Sequence, residues 1–394
     1  MATLPEVFIV SAARTPIGSF QGCFNTLAAH DLGAVVIKEV VKRANLKVTD
    51  IDEIVMGQAL QAGQGQNPAR QAALKAEVPK EVPAYGINML CGSGLKSVGL
   101  GFQAIRNGDS SIVISGGQES MTKAPHVVHL RGGTKMGNTS LIDSMIVDGL
   151  TDGMLNIHMG ETAEFLGKEY EISREDQDLQ AVKSQNLAEK AQKAGYFSDE
   201  IVPVVVPGRK ASVTITEDEY LKHGTTVEAV SKLRPCFIKD GTVTAANASG
   251  INDSAAAVLL ASEMEVKKRN LQPLARIVAF SQVGCDPKTM GAGPITAVPE
   301  VLRKAGWKIE EVDIFELNEA FAAQALAVNK ALKIDPSKVN IHGGAIALGH
   351  PIGASGTRIL VTLIYALKRI GKKRGVASLC VGGGMGVALA IEMV

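Results

Sequence analysis

The feature that most constrains the fold of this chain is a succession of strand-length apolar runs and helix-length amphipathic segments. The helical type is clear in residues 32–45, where Leu32, Val36 and Val40 recur at intervals that place them on one helix face. Strands are predicted at residues 7–11, 54–56, 86–90 and 112–115, and helices at residues 32–45, 68–76 and after Cys91. Such alternation is typical of a layered α/β domain.

The same succession of elements returns near the end of the chain. Strands are predicted at residues 274–280, 312–317 and 378–381, a helix at 294–305, and a loop that runs into a helix at 349–367. The run 312–317 aligns with 51–56, the segment 349–367 with 91–106, and the strand 378–381 ends in glycines as 112–115 does. This self-similarity predicts two related α/β halves of about 120 residues each.

The segment between the two halves is polar and predicts an inserted domain. It is rich in His, Lys, Asp and Glu, and it contains one clear helix, in which Ser173 is the N-cap, Asp176 occupies the third helical position and Gly195 ends the helix. An ordered insertion set on a scaffold is a natural binding surface. The predicted organisation is therefore a first half of residues 1–119 and 246–271, an inserted loop domain of residues 120–245, and a second half of residues 272–394.

Composition and charge exclude several classes of protein. Of the 394 residues, 46% are hydrophobic, which excludes a disordered chain. The 41 basic and 40 acidic residues nearly cancel, whereas a nucleic-acid-binding protein carries a basic excess or stripe. The five cysteines form no CxxC pair, so neither a zinc ribbon nor a disulfide framework is indicated. We expect free thiols, no nucleic-acid partner and a reducing compartment.

Targeting signals do not stand out in the sequence. The N-terminus lacks a basic region followed by an apolar core. Residues 375–391 contain no charged side chain and follow a basic run, so a membrane anchor is one interpretation. Gly382, Gly383 and Gly384 interrupt this segment, which favours two short strands around a turn, at 376–381 and 387–391. The expected location is the cytoplasm, without membrane attachment.

Cys91 is the first candidate for chemistry. It ends a predicted strand and opens the sequence CGSG, whose glycines allow a sharp turn into a helix. At a helix N-terminus the positive end of the helix dipole stabilises a thiolate. This would lower the pKa of the Cys91 thiol and make it a nucleophile. The alternative is a small buried apolar residue, which is the usual role of a free cysteine.

His350 is the second candidate. It lies between Gly349 and Pro351 in a glycine-rich, uncharged loop, where it could act as a base beside a thiol or be a buried, hydrogen-bonded histidine. His342 lies before this loop, and a structural role is favoured for it.

Two further residues lie at the ends of predicted strands. Cys380 precedes three glycines, whose backbone N–H groups could form a concave anion site. Asn318 follows an apolar strand, where its amide could aim a donor or a water into a site, or cap the next helix. A thiol, a histidine, a second thiol and an amide at such junctions suit acyl transfer through a thioester.

The sequence resembles the thiolase family over its whole length, and within it the cytosolic and biosynthetic acetyl-CoA acetyltransferases. The motifs that carry the resemblance are VSAARTPIG at 10–18, GQNPARQ at 65–71, CGSG at 91–94, HMG at 158–160, NASGIND at 247–253, NEAF at 318–321, GHPIG at 349–353 and CVGGG at 380–384. The resemblance implies the thiolase fold, in which two duplicated halves form five αβαβα layers with an inserted loop domain. It also implies a homotetramer built as a dimer of dimers.

The resemblance further implies a role for each catalytic position. Cys91 would be acetylated, with His350 accepting its proton, and Cys380 would remove a proton from the methyl carbon of a second acetyl-CoA. One oxyanion hole would consist of His350 and a water held by Asn318, and the other of the backbone N–H groups of Cys91 and Gly382. The resulting reaction is the reversible condensation of two acetyl-CoA into acetoacetyl-CoA and CoA.

Coenzyme A contacts and chain-length selection follow from the same resemblance. Substrates would be CoA thioesters, with no tightly bound cofactor or metal. Met290 resembles the bulky residue that narrows the acyl pocket in short-chain members. The CoA contacts fall on His158, Met159, Ser249 and Ala320, with Lys222 and Thr225 near the adenine and its phosphate.

Three other functions remain open on the sequence. The first is a 3-ketoacyl-CoA thiolase that acts on longer chains. The second is a thiolase-like acyl-CoA or lipid carrier without turnover, which would be expected to lose a nucleophile or the Gly-His-Pro block that this chain retains. The third is a ketoacyl synthase acting on a carrier protein, which would be expected to use other histidine motifs.

Overall fold

The computed structural model describes residues 5–394, and its strands and helices alternate as predicted. The strands are β1 (Val7–Arg14), β2 (Gly18–Ser19), β3 (Glu53–Gly57), β4 (Ala84–Ile87), β5 (Ile112–Ser120), β6 (His126–Val127), β7 (Ile142–Asp143), β8 (Thr151–Asp152), β9 (Ile157–His158), β10 (Val204–Val206), β11 (Val213–Ile215), β12 (Asn252–Ser262), β13 (Ala275–Gly284), β14 (Ile314–Leu317), β15 (Arg374–Val381) and β16 (Met385–Met393). The helices are α1 (Ala29–Arg43), α2 (Pro68–Lys75), α3 (Ser93–Asn107), α4 (Met159–Glu169), α5 (Arg174–Lys193), α6 (Val227–Val230), α7 (Glu263–Arg269), α8 (Gly293–Ala305), α9 (Ala322–Leu332), α10 (Ala345–Leu348) and α11 (Ile352–Ile370).

Nine strands form one continuous path in the order β4-β3-β5-β12-β1-β13-β16-β15-β14, with β2 paired to β12. In the first half, β4, β3 and β5 are parallel and β12 runs antiparallel between β5 and β1. In the second half, β14 and β15 are parallel and β16 runs antiparallel between β15 and β13. The halves meet where β1 pairs with β13, so the same arrangement occurs on both sides of this contact.

The buried residues divide into three main clusters that define five layers. Side chains of α3 and α11 form the central cluster with strands of both halves, among them Leu95, Phe102, Ile359, Leu379 and Leu389. The helices α1 and α2 cover the outer face of the first half, and α8 and α9 cover that of the second. The chain therefore has the αβαβα arrangement of the thiolase fold.

The inserted segment is joined to the first half by buried charges. Arg14, at the end of β1, donates from Nε to Glu200 at 2.6 Å and from its two terminal nitrogens to Asp218 at 2.7 and 2.9 Å. All three side chains are almost fully buried. The helix α5 begins as predicted, because Ser173 accepts the N–H of Asp176 and the Asp176 carboxylate accepts the N–H of Ser173.

The predicted elements are present, although several bounds differ. The strand expected at 86–90 ends at Ile87, because Leu90 already belongs to a short 3₁₀ turn. Besides the one helix identified from sequence, the inserted segment contains α4, α6 and three short antiparallel strand pairs. The segment 375–391 forms β15 and β16, as expected. Between Pro5 and Val394 no helix has the length and apolar character needed to cross a membrane.

Candidate active site

Four predicted residues lie at the ends of core elements. Cys91 is in the 3₁₀ turn that leads into α3, and His350 precedes α11 by two residues. Cys380 is near the end of β15, and Asn318 follows β14 directly. Because β14 and β15 are parallel neighbours, their carboxyl ends meet at one edge of the sheet, where sites of α/β proteins are usually built.

Two glycines bring the N-termini of α3 and α11 into direct contact. A Cβ atom on Gly356 would lie 2.2 Å from the backbone nitrogen of Leu95, and one on Gly94 would lie 2.8 Å from that of Thr357. Any side chain at these two positions would therefore push the helices apart. The close approach carries Cys91 and His350 toward each other.

The turn that holds Cys91 is closed by a serine. The hydroxyl of Ser93 accepts the N–H of Met89 at 2.8 Å and donates to the carbonyl of Leu90 at 2.7 Å. Leu90 adopts a left-handed φ of 46°, a conformation that costs energy for a branched side chain and recurs at functional sites.

The site encloses a cavity of about 230 Å³ with mainly apolar walls. Of the predicted residues, the lining includes Cys91, His350, Gly382, His158, Met159, Ser249, Ala320 and Met290. The remaining walls come from Leu90, Met121, Gly149, Leu150, Phe237, Ala248, Gly250, Ile251, Phe321 and Ile352. A small acyl group and the adjoining part of a thioester would be shielded from water here.

The environment of Cys91 contradicts the expected low thiol pKa. Burial, with a smaller contribution from the Glu119 carboxylate, raises the pKa of Cys91 to about 11. The backbone N–H groups of Gly382 and of Cys91 itself lie near the sulfur and oppose this rise, but they do not outweigh it. The expectation was wrong because a turn between two packed helices shields the half-buried thiol from water as well as placing it at a helix N-terminus. At neutral pH the thiol is protonated and needs a base.

His350 is uncharged and can accept a proton, although burial also makes it a weak base. Burial, together with the positive charge of Arg358, lowers the pKa of His350 to about 3, so the imidazole is neutral at physiological pH. Its Nδ1 lies 2.6 Å from the hydroxyl of Ser355. The amide nitrogen of Asn318 lies almost equally far from both ring nitrogens, 3.5 Å from Nδ1 and 3.4 Å from Nε2. The backbone N–H of His350 donates to Oδ1 of Asn252 at 2.9 Å, which fixes the loop.

Cys380 lies behind the cavity wall and is 0% exposed. It packs in one cluster with Met159, Met290, Ala320 and Phe321. Burial, and to a smaller extent the neighbouring thiols of Cys91 and Cys285, raises the pKa of Cys380 well above its usual value. Like Cys91, this thiol is protonated at rest.

The residues predicted to contact CoA divide into two groups. His158, Met159, Ser249 and Ala320 line the cavity, and the His158 ring stacks on Phe237 with the ring centroids 4.7 Å apart.

Lys222 and Thr225 lie outside the cavity. Lys222 is exposed and its Nζ lies 5.3 Å from the centre of the Tyr220 ring. That ring packs directly on Gly250 of the cavity wall, since a Cβ there would lie 2.3 Å from it. Tyr220 therefore links Lys222 to the cavity.

The sequence matches two family models that together span the described chain. They are the thiolase N-terminal domain over residues 7–264 and the thiolase C-terminal domain over residues 271–393. The chain belongs to the thiolase family.

Relatives of this thiolase are similar over their full length. An acetyl-CoA acetyltransferase of Shinella zoogloeoides is 58% identical over 384 residues, covering 98% of each chain. A cytosolic acetyl-CoA acetyltransferase of Mus musculus is 56% identical over 388 residues, with the same coverage. The crystal structure of human mitochondrial 3-ketoacyl-CoA thiolase in complex with CoA superposes with a TM-score of 0.96 at 44% identity, covering 100% of this chain and 99% of that one.

Two residues of this thiolase that the sequence analysis did not identify hold the site together. Glu119, at the end of β5, accepts the backbone N–H groups of Ala59, Leu60 and Gly353 at 2.8 to 3.2 Å, and so fixes the start of α11. Ser355 contacts the ring of His350. Ser355 follows His350 by five residues in the same glycine-rich stretch of sequence, whereas no pattern in the sequence distinguishes Glu119.

Proposed function

We propose that this thiolase is an acetyl-CoA acetyltransferase, which joins two acetyl-CoA molecules reversibly into acetoacetyl-CoA and CoA. The observation that carries the proposal is a small apolar cavity that Cys91 and His350 line, with Cys380 packed directly behind the residues of its wall. The names of the Shinella and mouse relatives support the same substrate. The reaction class is acyl transfer through a covalent thioester.

In the first half-reaction, Cys91 Sγ attacks the thioester carbonyl carbon of acetyl-CoA, and its proton moves to Nε2 of His350. The bond between the acetyl group and CoA breaks, and the departing CoA thiolate takes the proton of Cys380. The products are acetylated Cys91, free CoA, an imidazolium at His350 and a thiolate at Cys380. Both thiols are neutral at rest because burial raises their pKa values, so each proton moves together with the bond change that it accompanies and not before it.

In the second half-reaction, the Cys380 thiolate removes a proton from the methyl carbon of a second acetyl-CoA. The resulting carbanion attacks the carbonyl carbon of acetyl-Cys91, and a carbon–carbon bond forms. The bond to Cys91 breaks, and the Cys91 sulfur recovers its proton from His350. Acetoacetyl-CoA leaves, and both cysteines return to the thiol form.

Negative charge develops on an oxygen in both half-reactions, and we assign two oxyanion holes. The backbone N–H groups of Cys91 and Gly382 form one, supported by their position near the Cys91 sulfur, whose negative charge they stabilise. His350 and a water held by Asn318 form the other, supported by Oδ1 of Asn318, which is buried and has no hydrogen-bond partner among residues 5–394. One such donor is typically worth about 10²–10³ in rate.

We assign CoA binding to the cavity and its surroundings. His158, Met159, Ser249 and Ala320 would contact the arm that carries the thioester, and the exposed Lys222 with Thr225 would meet the adenine and its phosphate. A cationic side chain at the surface suits a phosphate group. CoA thioesters are the substrates in this proposal, and no tightly bound cofactor or metal takes part.

The alternative is a 3-ketoacyl-CoA thiolase of broader chain-length range. The solved human relative carries that name, so the fold alone does not decide between them. We favour the short-chain substrate because Met290 is 3% exposed and packs beside Cys380 at the cavity wall, where it limits the space for a longer acyl chain.

Steady-state thiolysis tests the substrate assignment. The values of kcat/KM for acetoacetyl-CoA and for 3-ketoacyl-CoA substrates of 8 to 16 carbons are compared in the same buffer. We expect the four-carbon substrate to be cleaved faster. Faster cleavage of the longer chains would replace the acetyl-CoA assignment with the alternative.

We propose a homotetramer, built as a dimer of dimers, in the cytoplasm. Its support is an exposed edge strand, β4, and a group of exposed apolar side chains in the inserted segment: Leu130, Met136, Leu141, Ile146 and Val147. The cytosolic location follows the name of the mouse relative. No nucleic acid or membrane partner is part of the proposal. The domain organisation, with an inserted loop domain at residues 120–245 and a return to the first half at residues 246–271, remains a prediction. Light scattering coupled to size exclusion would give the mass of the assembly.

A further inference from the structure

The hydroxyl of Ser355 touches two groups at once. Ser355 lies in the first turn of α11 and is 1% exposed. Its Oγ is 2.6 Å from Nδ1 of His350 and 2.8 Å from the carbonyl oxygen of Pro351. Both distances are those of hydrogen bonds.

These two contacts determine where the proton of the neutral His350 ring lies. A serine hydroxyl has one proton, and the carbonyl oxygen of Pro351 can only accept. Ser355 therefore donates to Pro351 and must accept from Nδ1–H. If Nδ1 carried no proton, the hydroxyl would have to donate to the ring, and two oxygen lone pairs would then face each other at 2.8 Å. With the proton on Nδ1, the lone pair is on Nε2.

We propose that Ser355 is a positioning residue that fixes His350 in the Nδ1–H tautomer, so that Nε2 is free to accept the proton of Cys91. The tautomer of a histidine is generally set by the hydrogen bond that its other nitrogen makes. This inference rests on the proposed function, in which Nε2 of His350 is the base.

The groups around the His350 ring are consistent with an uncharged hydrogen-bond acceptor, the Ser355 hydroxyl, opposite Nδ1. A carboxylate at this position would stabilise the imidazolium, whereas a hydroxyl does so weakly. On α11, Arg358 acts on His350 with its positive charge, and its guanidinium lies 4.0 Å from Glu316 on β14. The thiol of Cys91, with Glu119 near it, and the ring of His158 are the titratable groups that share the cavity with the His350 ring. His350 is thus kept neutral until it receives a proton from a thiol.

The first test measures proton transfer without acyl chemistry. Ser355→Ala removes the acceptor of Nδ1–H but leaves the Pro351 carbonyl bonded to the backbone N–H groups of residues 354 and 355. The ring then populates the tautomer in which Nε2 carries the proton. We expect alkylation of Cys91 by iodoacetamide at pH 7, and kcat of thiolysis, to fall about 10- to 100-fold, with KM changed less than about twofold.

Two further variants serve as controls. Ser11→Ala removes an equally buried hydroxyl that donates to the Val40 carbonyl at 2.6 Å, far along the chain from the site, and should retain the wild-type rates. Ser355→Thr keeps the hydroxyl and should recover most of the lost alkylation rate. Equal alkylation rates in Ser355→Ala and Ser11→Ala would overturn the proposal.

The second test does not depend on a stable variant at position 355. The chain has seven histidines, so the ¹⁵N signals of His350 can be assigned in histidine-labelled wild-type protein by their loss in His350→Gln. We expect a protonated Nδ1 and an unprotonated Nε2, and a protonated Nε2 would refute the proposal. Failure of the wild-type protein to form acetyl-Cys91 would instead refute the proposed function, because neither the tautomer nor the alkylation rate involves acetyl-CoA.

Discussion

Replacing His350 tests whether the thiol of Cys91 depends on a base for its reaction with acetyl-CoA. In His350→Gln the side chain stays neutral and polar but cannot accept the proton of Cys91. A thiol whose pKa is about 11 is ionised at pH 7 in about one molecule in 10⁴. Acetylation of Cys91 in the variant would therefore be slower by about 10³–10⁴, which is near the upper end of what a general base usually contributes.

The assay is a single-turnover reaction with acetyl-CoA, stopped in acid and followed by intact mass. In the variant, the rate should rise about tenfold per pH unit from pH 7 toward pH 10, because ionisation of the thiol then limits the reaction. The wild-type rate should change little between pH 7 and pH 9. His342→Gln is the matched control, since it removes a buried histidine outside the cavity. A variant within tenfold of the wild type at pH 7, or without a rise with pH, would refute the reasoning.

Three further predictions follow from buried side chains. Met290→Ala should open the cavity wall and raise kcat/KM for a six-carbon 3-ketoacyl-CoA relative to acetoacetyl-CoA about tenfold; an unchanged ratio would remove Met290 from chain-length selection. Arg14→Gln should leave two buried carboxylates, of Glu200 and Asp218, without a counter-charge and lower the free energy of unfolding in urea by about 3–5 kcal/mol; a loss below about 1 kcal/mol would contradict this. Burial lowers the pKa of His342 to about 4, so the unfolded chain gains a proton before the folded one as pH falls below about 6.5. His342→Phe should therefore reduce the loss of stability between pH 6.5 and pH 4 by up to about 3 kcal/mol, measured by urea unfolding, and an unchanged pH dependence would argue against it.

The fold was predictable from sequence where an element has one polar and one apolar face, or where glycines separate two short apolar runs. The helices α1, α2 and α5 and the strands around the glycine turn of residues 382–384 were predicted within a few residues. The strand β12 was not predicted, because every residue in Asn252–Ser262 is buried and the run shows no alternation of polar and apolar residues. Nor was α4, which contains two glycines and begins at a histidine cap.

The candidate site was predictable as a set of residues, because motifs place reactive side chains at the ends of strands and helices. Its electrostatics were not predictable. The pKa of Cys91 depends on how deeply the helix contact buries the sulfur, and this depth is a property of packing between residues far apart in sequence. The same holds for Ser355, whose role follows from two distances around one hydroxyl.

The central claim is that Cys91 takes the acyl group while Cys380 handles the carbon-bound proton. Incubation with acetyl-CoA followed by intact mass and peptide mapping tests it directly. We expect one acetyl group, located on the peptide that contains Cys91, absent from Cys91→Ala and still formed in Cys380→Ala, which should no longer make acetoacetyl-CoA. An acetyl group that persists in Cys91→Ala, or that maps to Cys380, would contradict the account.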